Sequence, residues 1–139
     1  MSLYVLDTDI YSLYRQDDVA VARNLAAHPP NDVAITVITV EEQLSGWYSY
    51  LRQATKPDDV AHAYVELTDS VRSLATLPIL TFSISDIGRY DQLAKMKLNV
   101  RKMDLRIAAI VLEHNATLVT RNLRDFQRVP NLTIEDWSV

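Results

Sequence analysis

The sequence predicts an α/β protein: a three-layer α/β/α sandwich with a mainly parallel sheet of four or five strands. Three observations predict it. Short apolar runs rich in β-branched residues recur along the chain, amphipathic helical patterns separate them, and the first run, Leu3-Tyr4-Val5-Leu6, ends on Asp7. Strands that alternate with helices imply a parallel sheet covered on both faces. With 139 residues, 48% of them hydrophobic and 23% charged, the chain is read as one globular domain, 1–139, with a sizeable core.

The elements follow in order. Leu3 to Leu6 reads as a short buried strand, and Asp9 as the N-cap of a helix from Ile10 to Arg15. Asp17 to His28 carries Val19, Ala22, Leu25 and Ala26 at helical spacing, and Pro29-Pro30 stops it. Val33 to Val37 is a second strand, after which Thr39 is expected to cap a helix striped by Val40, Leu44, Trp47, Tyr48 and Leu51. Lys56-Pro57-Asp58 breaks that run before a helix carrying Val60, Tyr64, Leu67, Val71 and Leu74. Leu77 to Phe82 reads as a third strand with Pro78 at its entry, and Ser85 or Asp86 as the cap of a helix reaching about Leu98. Asp104 to His114 is apolar almost all round, as a buried helix is. Ala116 to Thr120 forms a fourth strand, Asn122 to Arg128 a single helical turn, and Leu132-Thr133-Ile134 a short edge strand.

Composition excludes several classes. Two glycines are too few for a Gly-rich phosphate loop, and the absence of cysteine removes disulfides and thiolate metal sites. Met1-Ser2-Leu3 lacks a basic leader, and the apolar run Ile107 to Leu112 is too short to span a bilayer, so a cytoplasmic protein without membrane attachment is expected. The net charge of −4 is unevenly spread. From Arg89 to Arg128 there are nine Lys/Arg against four Asp/Glu, and the remainder holds five basic and fourteen acidic residues. That split suits a polyanion-facing side on an acidic protein, although a solvated helix surface produces the same pattern.

In open α/β sheets ligands bind beyond the C-terminal strand ends. Asp7 ends the first strand, Glu41 and Glu42 follow the second, Asp104 opens the apolar helix, and Asn122 and Asp125 follow the fourth strand. Carboxylates gathered at one sheet edge repel each other unless a cation or a raised pKa offsets them. A divalent metal site is the economical reading, and an all-oxygen donor set favours Mg²⁺ or Mn²⁺ over Zn²⁺.

These residues resemble PIN-domain ribonucleases, in particular the VapC-type toxins of toxin–antitoxin pairs. Leu6-Asp7-Thr8-Asp9 is similar to the family's opening motif, with Asp9 where Asn is usual. Ile38-Thr39-Val40-Glu41-Glu42-Gln43-Leu44-Ser45-Gly46 resembles its second acidic segment, which selects Glu42 over Glu41; Gln43 replaces the usual Leu, a change expected to affect packing. Asp104-Leu105-Arg106-Ile107-Ala108-Ala109 is similar to the third motif, and Leu118 to Phe126 with Val129-Pro130 to the C-terminal signature, where Asn122 stands in place of a frequent fourth aspartate.

The resemblance implies hydrolysis of RNA phosphodiester bonds with Asp7, Glu42, Asp104 and Asp125 as catalytic metal ligands and Asn122 contributing directly or through water. Thr8 and Thr120 are implied as supporting hydroxyls, and Lys95, Lys97, Arg101, Lys102, Arg121 and Arg124 as RNA phosphate contacts. A cognate antitoxin and a homodimer are implied likewise.

Structural roles compete for the same residues. Asp7 could cap a turn, Thr39 to Glu42 has the spacing of a capping box, and Asp104 and Asn122 to Asp125 suit first helical turns. His28, His62 and His114 show no ligand pairing, and Trp47 and Tyr48 read as core or dimer contacts. Two rival functions are a catalytically silent PIN-type binding module and a phospho-acceptor signalling domain. The latter needs an aspartate directly after the third strand, where Leu80-Thr81-Phe82-Ser83 offers none.

Overall fold

The computed structural model describes residues 2–139. Five strands, β1 (Tyr4–Leu6), β2 (Val33–Thr36), β3 (Ile79–Leu80), β4 (Thr117–Val119) and β5 (Thr133–Glu135), form one sheet in the order β3-β2-β1-β4-β5. Every pairing is parallel, with Val5 opposite Ala34 on one side and Leu118 on the other. The helices are α1 (Thr8–Arg15), α2 (Val19–Ala26), α3 (Val37–Gln53), α4 (Pro57–Leu74), α5 (Ile84–Lys95), α6 (Lys102–Glu113) and α7 (Leu123–Phe126).

Side chains alternate across the sheet, so one strand feeds two cores. Val5 and Leu118 pack with Leu93, Ile107, Ile110 and Phe126 on the α5–α6 face. Leu6, Val33, Ile35 and Val119 pack with Ile10, Tyr11, Val21 and Leu74 on the opposite face. Helix α6 lies deepest, with Ile107 to Val111 fully buried, as its unbroken apolar run predicts. Among the described residues no helix is long and apolar enough to cross a membrane.

Several local expectations are corrected. Asp7, not Asp9, caps α1, accepting from the Ile10 N–H at 2.8 Å, and Asp9 sits in the first turn. Thr36, not Thr39, caps α3, so the Thr39–Glu42 capping box does not form. Ser83 caps α5 in a capping box whose third position is Asp86, so neither Ser85 nor Asp86 is the cap. The third strand is two residues, not six: an edge strand this short blunts its own exposed ladder. Pro57 opens α4 at its first position, where a missing N–H is harmless.

The helical stripes shift too. In α2 the buried residue is Val21, and Val19 is 78% exposed. In α4 the inward face is Ala63, Ser70 and Leu74, leaving Tyr64 and Val71 in solvent. On the α1 side, Ser70 accepts from Arg15 at 3.0 Å and Ser73 meets the Tyr11 hydroxyl at 2.7 Å. Trp47 is half-buried against Tyr50 and His62, whereas Tyr48 is exposed. His28 stacks on Trp137 and meets the Tyr4 ring at a tilt.

Candidate active site

Strand β1 has β2 on one side and β4 on the other, so chain connections leave it in opposite directions. A crevice opens at the C-terminal ends of strands where the order reverses. Asp7 stands there, directly after β1, its N–H bonded to the Val119 carbonyl at 3.0 Å and the residue 5% exposed. Burial pushes its carboxyl up to about 6, and the charges of Asp9 and Asp104 push the same way. The Thr120 side chain and the Ile10 N–H oppose the rise by bonding to the ionised form.

Each remaining carboxylate is held by its own tether. The Thr8 hydroxyl donates to Glu42 Oε1 at 2.6 Å and lies 3.0 Å from the Thr39 hydroxyl, which therefore donates to it. Asp104 is 7% exposed in the first turn of α6, and both its oxygens accept from Arg101: Nε to Oδ2 at 3.1 Å and Nη2 to Oδ1 at 3.0 Å. Arg101 Nη2 also lies 3.7 Å from Glu42 Oε2. Asp125 accepts from Asn122 Nδ2 at 3.0 Å and from Arg128 Nη1 at 3.1 Å. Asn122 donates its N–H to the Thr120 hydroxyl at 3.0 Å, a local turn contact directly after β4.

Asp7, Glu42, Asp104 and Asp125 thus meet in one electrostatic neighbourhood, and Asn122, Thr8 and Thr120 lie against them. As they stand, no three acidic or histidine side chains among the described residues close around an ion position. Two of them are engaged elsewhere: the Arg101 fork takes both oxygens of Asp104, and Thr8 takes one of Glu42. Gln43, where a packing change was expected, donates to Ser12 at 3.1 Å and is a polar tie between α3 and α1.

The basic residues divide. Arg101 and Arg121 are not free cations: Arg121 forks onto Asp9, with Nη2 at 3.2 Å from Oδ1. Lys95, Lys97, Lys102 and Arg124 are exposed and make no ion pair among the described residues. Sequence reasoning missed the roles of Arg101 and Arg128 as carboxylate partners. Their spacing of three residues from Asp104 and Asp125 on helical turns was the available signal.

Residues 4–132 match the family model for the PIN domain. The chain belongs to the PIN-domain family. Among the relatives of this PIN chain, Ribonuclease VapC2 of Rickettsia felis is 28% identical, the match covering 97% of this chain and 98% of the relative. Ribonuclease VapC1 of Haemophilus influenzae is 27% identical over 98% of both. The structure of VapBC2 from Rickettsia felis bound to a DNA fragment from its promoter superposes with a TM-score of 0.75 at 28% identity, covering 97% of this chain and 98% of that one. DNA-bound VapBC from Salmonella typhimurium, 23% identical over 99% of each chain, shares the fold with a TM-score of 0.76.

Proposed function

We propose that this PIN domain is a Mg²⁺- or Mn²⁺-dependent endoribonuclease that acts as the toxin of a toxin–antitoxin pair. The observation that carries the reading is the meeting of Asp7, Glu42 and Asp104, from three separate elements, at the switch point of the sheet. The likeness to proteins named ribonucleases over nearly the whole chain supports the substrate class.

The donor chemistry fits a hard divalent cation. Every candidate ligand is an oxygen, the chain has no cysteine, and five carboxylates (Asp7, Asp9, Glu42, Asp104, Asp125) face only three guanidiniums (Arg101, Arg121, Arg128). Asp7, Glu42 and Asp104 would hold the ion, with Asp125 and Asn122 assisting directly or through water. Bound there, it supplies charge that polarises a phosphate oxygen, lowers the pKa of water and stabilises the leaving oxygen.

The chain's own residues orient the rest. The Ile10 N–H aims an Asp7 oxygen, and Thr8 aims Glu42. Exposed Lys95, Lys97, Lys102 and Arg124 would hold RNA phosphates, fixing register without reading bases. A protein partner, antitoxin or second copy, has apolar surface to cover on the α3–α4 hairpin: Tyr48, Tyr50, Tyr64, Val65 and Val71 are 38–57% exposed. The likeness to the VapBC2 complex supports an antitoxin among the partners.

The test is cleavage of short RNAs by the purified chain with Mg²⁺, Mn²⁺ or chelator. Cleavage that needs the ion and disappears in Asp104→Asn is expected. A folded wild-type protein that binds RNA and leaves it intact under every ion would be a silent binding module.

A further inference from the structure

Three arginines face the carboxylates of the crevice, and they are held differently. Arg128 is anchored twice, its Nη1 donating to the Asn99 carbonyl at 2.9 Å as well as to Asp125. Arg121 stands at the rim on Asp9, a residue outside the proposed ligand set. Arg101 differs from both. It lies just before α6 in a non-helical conformation, its side chain is 65% exposed, and its hydrogen bonds are confined to the guanidinium tip on Asp104. That tip covers both oxygens of Asp104 and reaches Glu42, two of the three carboxylates proposed to bind the ion.

Resting on the metal-site reading, we propose that Arg101 is an exchangeable counter-cation: the divalent ion displaces it from Asp104, and the released guanidinium then binds the substrate phosphate. The displacement follows from charge and geometry. A carboxylate whose two oxygens face a guanidinium fork cannot present them to an ion on the same side without bringing two positive groups into contact. The divalent ion carries the larger charge, so the fork leaves. Its long stem is already in solvent, so the head moves without unpacking a core. A planar five-donor fork released beside the ion matches the non-bridging oxygens of a phosphodiester, which a lysine ammonium at the same place would meet only as a point charge. Metal and RNA binding become positively coupled, because each favours the state in which Arg101 has left Asp104.

The experiment measures Mn²⁺ affinity without RNA, from the free-ion signal in electron paramagnetic resonance, for wild type, Arg101→Gln and Arg101→Lys. Removing the competing charge should tighten Mn²⁺ binding about tenfold in Arg101→Gln, with Arg101→Lys in between. Initial-rate cleavage then reads the second half: KM for RNA should rise severalfold in Arg101→Gln and be restored in part by Lys. Thermal melting without metal checks that both variants fold, and Arg101→Lys carries the test if Gln does not. Equal or weaker Mn²⁺ binding in folded Arg101→Gln overturns the exchange and leaves the metal site standing. No Mn²⁺ binding by any of the three at millimolar ion overturns both.

Discussion

The Thr8 hydroxyl donates to Glu42 across 2.6 Å and so joins the first turn of α1 to α3, one residue after Asp7. The bond explains why a short polar residue follows the aspartate. It aims the second carboxylate at the crevice that the first one lines. Thr8→Val keeps the shape and removes the donor, so it should lower melting stability by about 1 kcal/mol, the ordinary net worth of such a bond. Metal-dependent RNA cleavage should fall more than this, on the order of tenfold, because Glu42 loses its orientation. Thr8→Ser, which retains the hydroxyl, should stay near wild type in both assays.

Asp7 gives a prediction in pH. Its folded carboxyl is raised from 3.8 to about 6, with burial the largest cause. The folded state therefore holds a proton between those values that the unfolded chain has lost. Stability from this group is fully present below about 3.8 and is lost as pH rises through about 6. Above that, the metal-free fold carries a buried charge. Asp7→Asn still accepts from the Ile10 N–H, so without metal it should be more stable than wild type at pH 8, by on the order of 1–3 kcal/mol. The gap should close by about pH 4, near the unfolded value. Denaturant melts in chelator at the two pH values measure it, and a gap independent of pH would contradict the raised carboxyl.

The alternation of strands and helices, the buried α6 and the positions of Asp7, Glu42 and Asp104 were legible because each leaves a local mark. Strands announce themselves by β-branched runs, α6 by apolar residues all round, and the acids by falling where those runs end. What the sequence hid was decided by partners far along the chain. Thr36 and Thr39 are equally good caps by type; Thr36 is the cap because β2 ends there and the chain is helical from Val37, which leaves the Thr39 hydroxyl for Thr8, 31 residues away. The face of α4 is set by the small residues Ala63 and Ser70 rather than by Tyr64 and Val71, which composition alone favours. Arg101 and Arg121 read as free cations in a basic stretch; the spacing of Arg101 from Asp104 was a local signal, but only the fold brings Glu42 to Arg101 and Asp9 under Arg121.

The unpaired cations carry the salt prediction. If Lys95, Lys97, Lys102 and Arg124 touch phosphates, the double mutant Lys97→Ala/Lys102→Ala should weaken RNA binding for every sequence alike. It should also reduce the slope of log affinity against log salt by about 1.4, or about 0.7 for each phosphate of a single strand that the mutant leaves unneutralised. Arg121→Ala should change that slope less, since Asp9 already neutralises its charge. Fluorescence anisotropy over a salt series distinguishes them, and an unchanged slope in the double mutant would assign the lysines to solvated surface.

The last prediction separates two neighbouring glutamates. Glu41 is exposed, whereas Glu42 is half-buried and holds the Thr8 hydroxyl. Because Thr36 rather than Thr39 caps α3, Glu42 has no capping duty to lose. Glu42→Gln still offers an oxygen to Thr8, so the metal-free protein should melt within a few tenths of a kcal/mol of wild type, the scale of a helix-end charge effect. A neutral amide lacks the charge that holds a divalent ion, so RNA cleavage with Mn²⁺ should nearly vanish, together with the rise in melting temperature on adding Mn²⁺. Glu41→Gln should match wild type in both assays. Loss of cleavage in Glu41→Gln with Glu42→Gln active would move the ligand one residue along α3. Normal cleavage in both would remove α3 from the metal site and leave Asp7 and Asp104 to account for it.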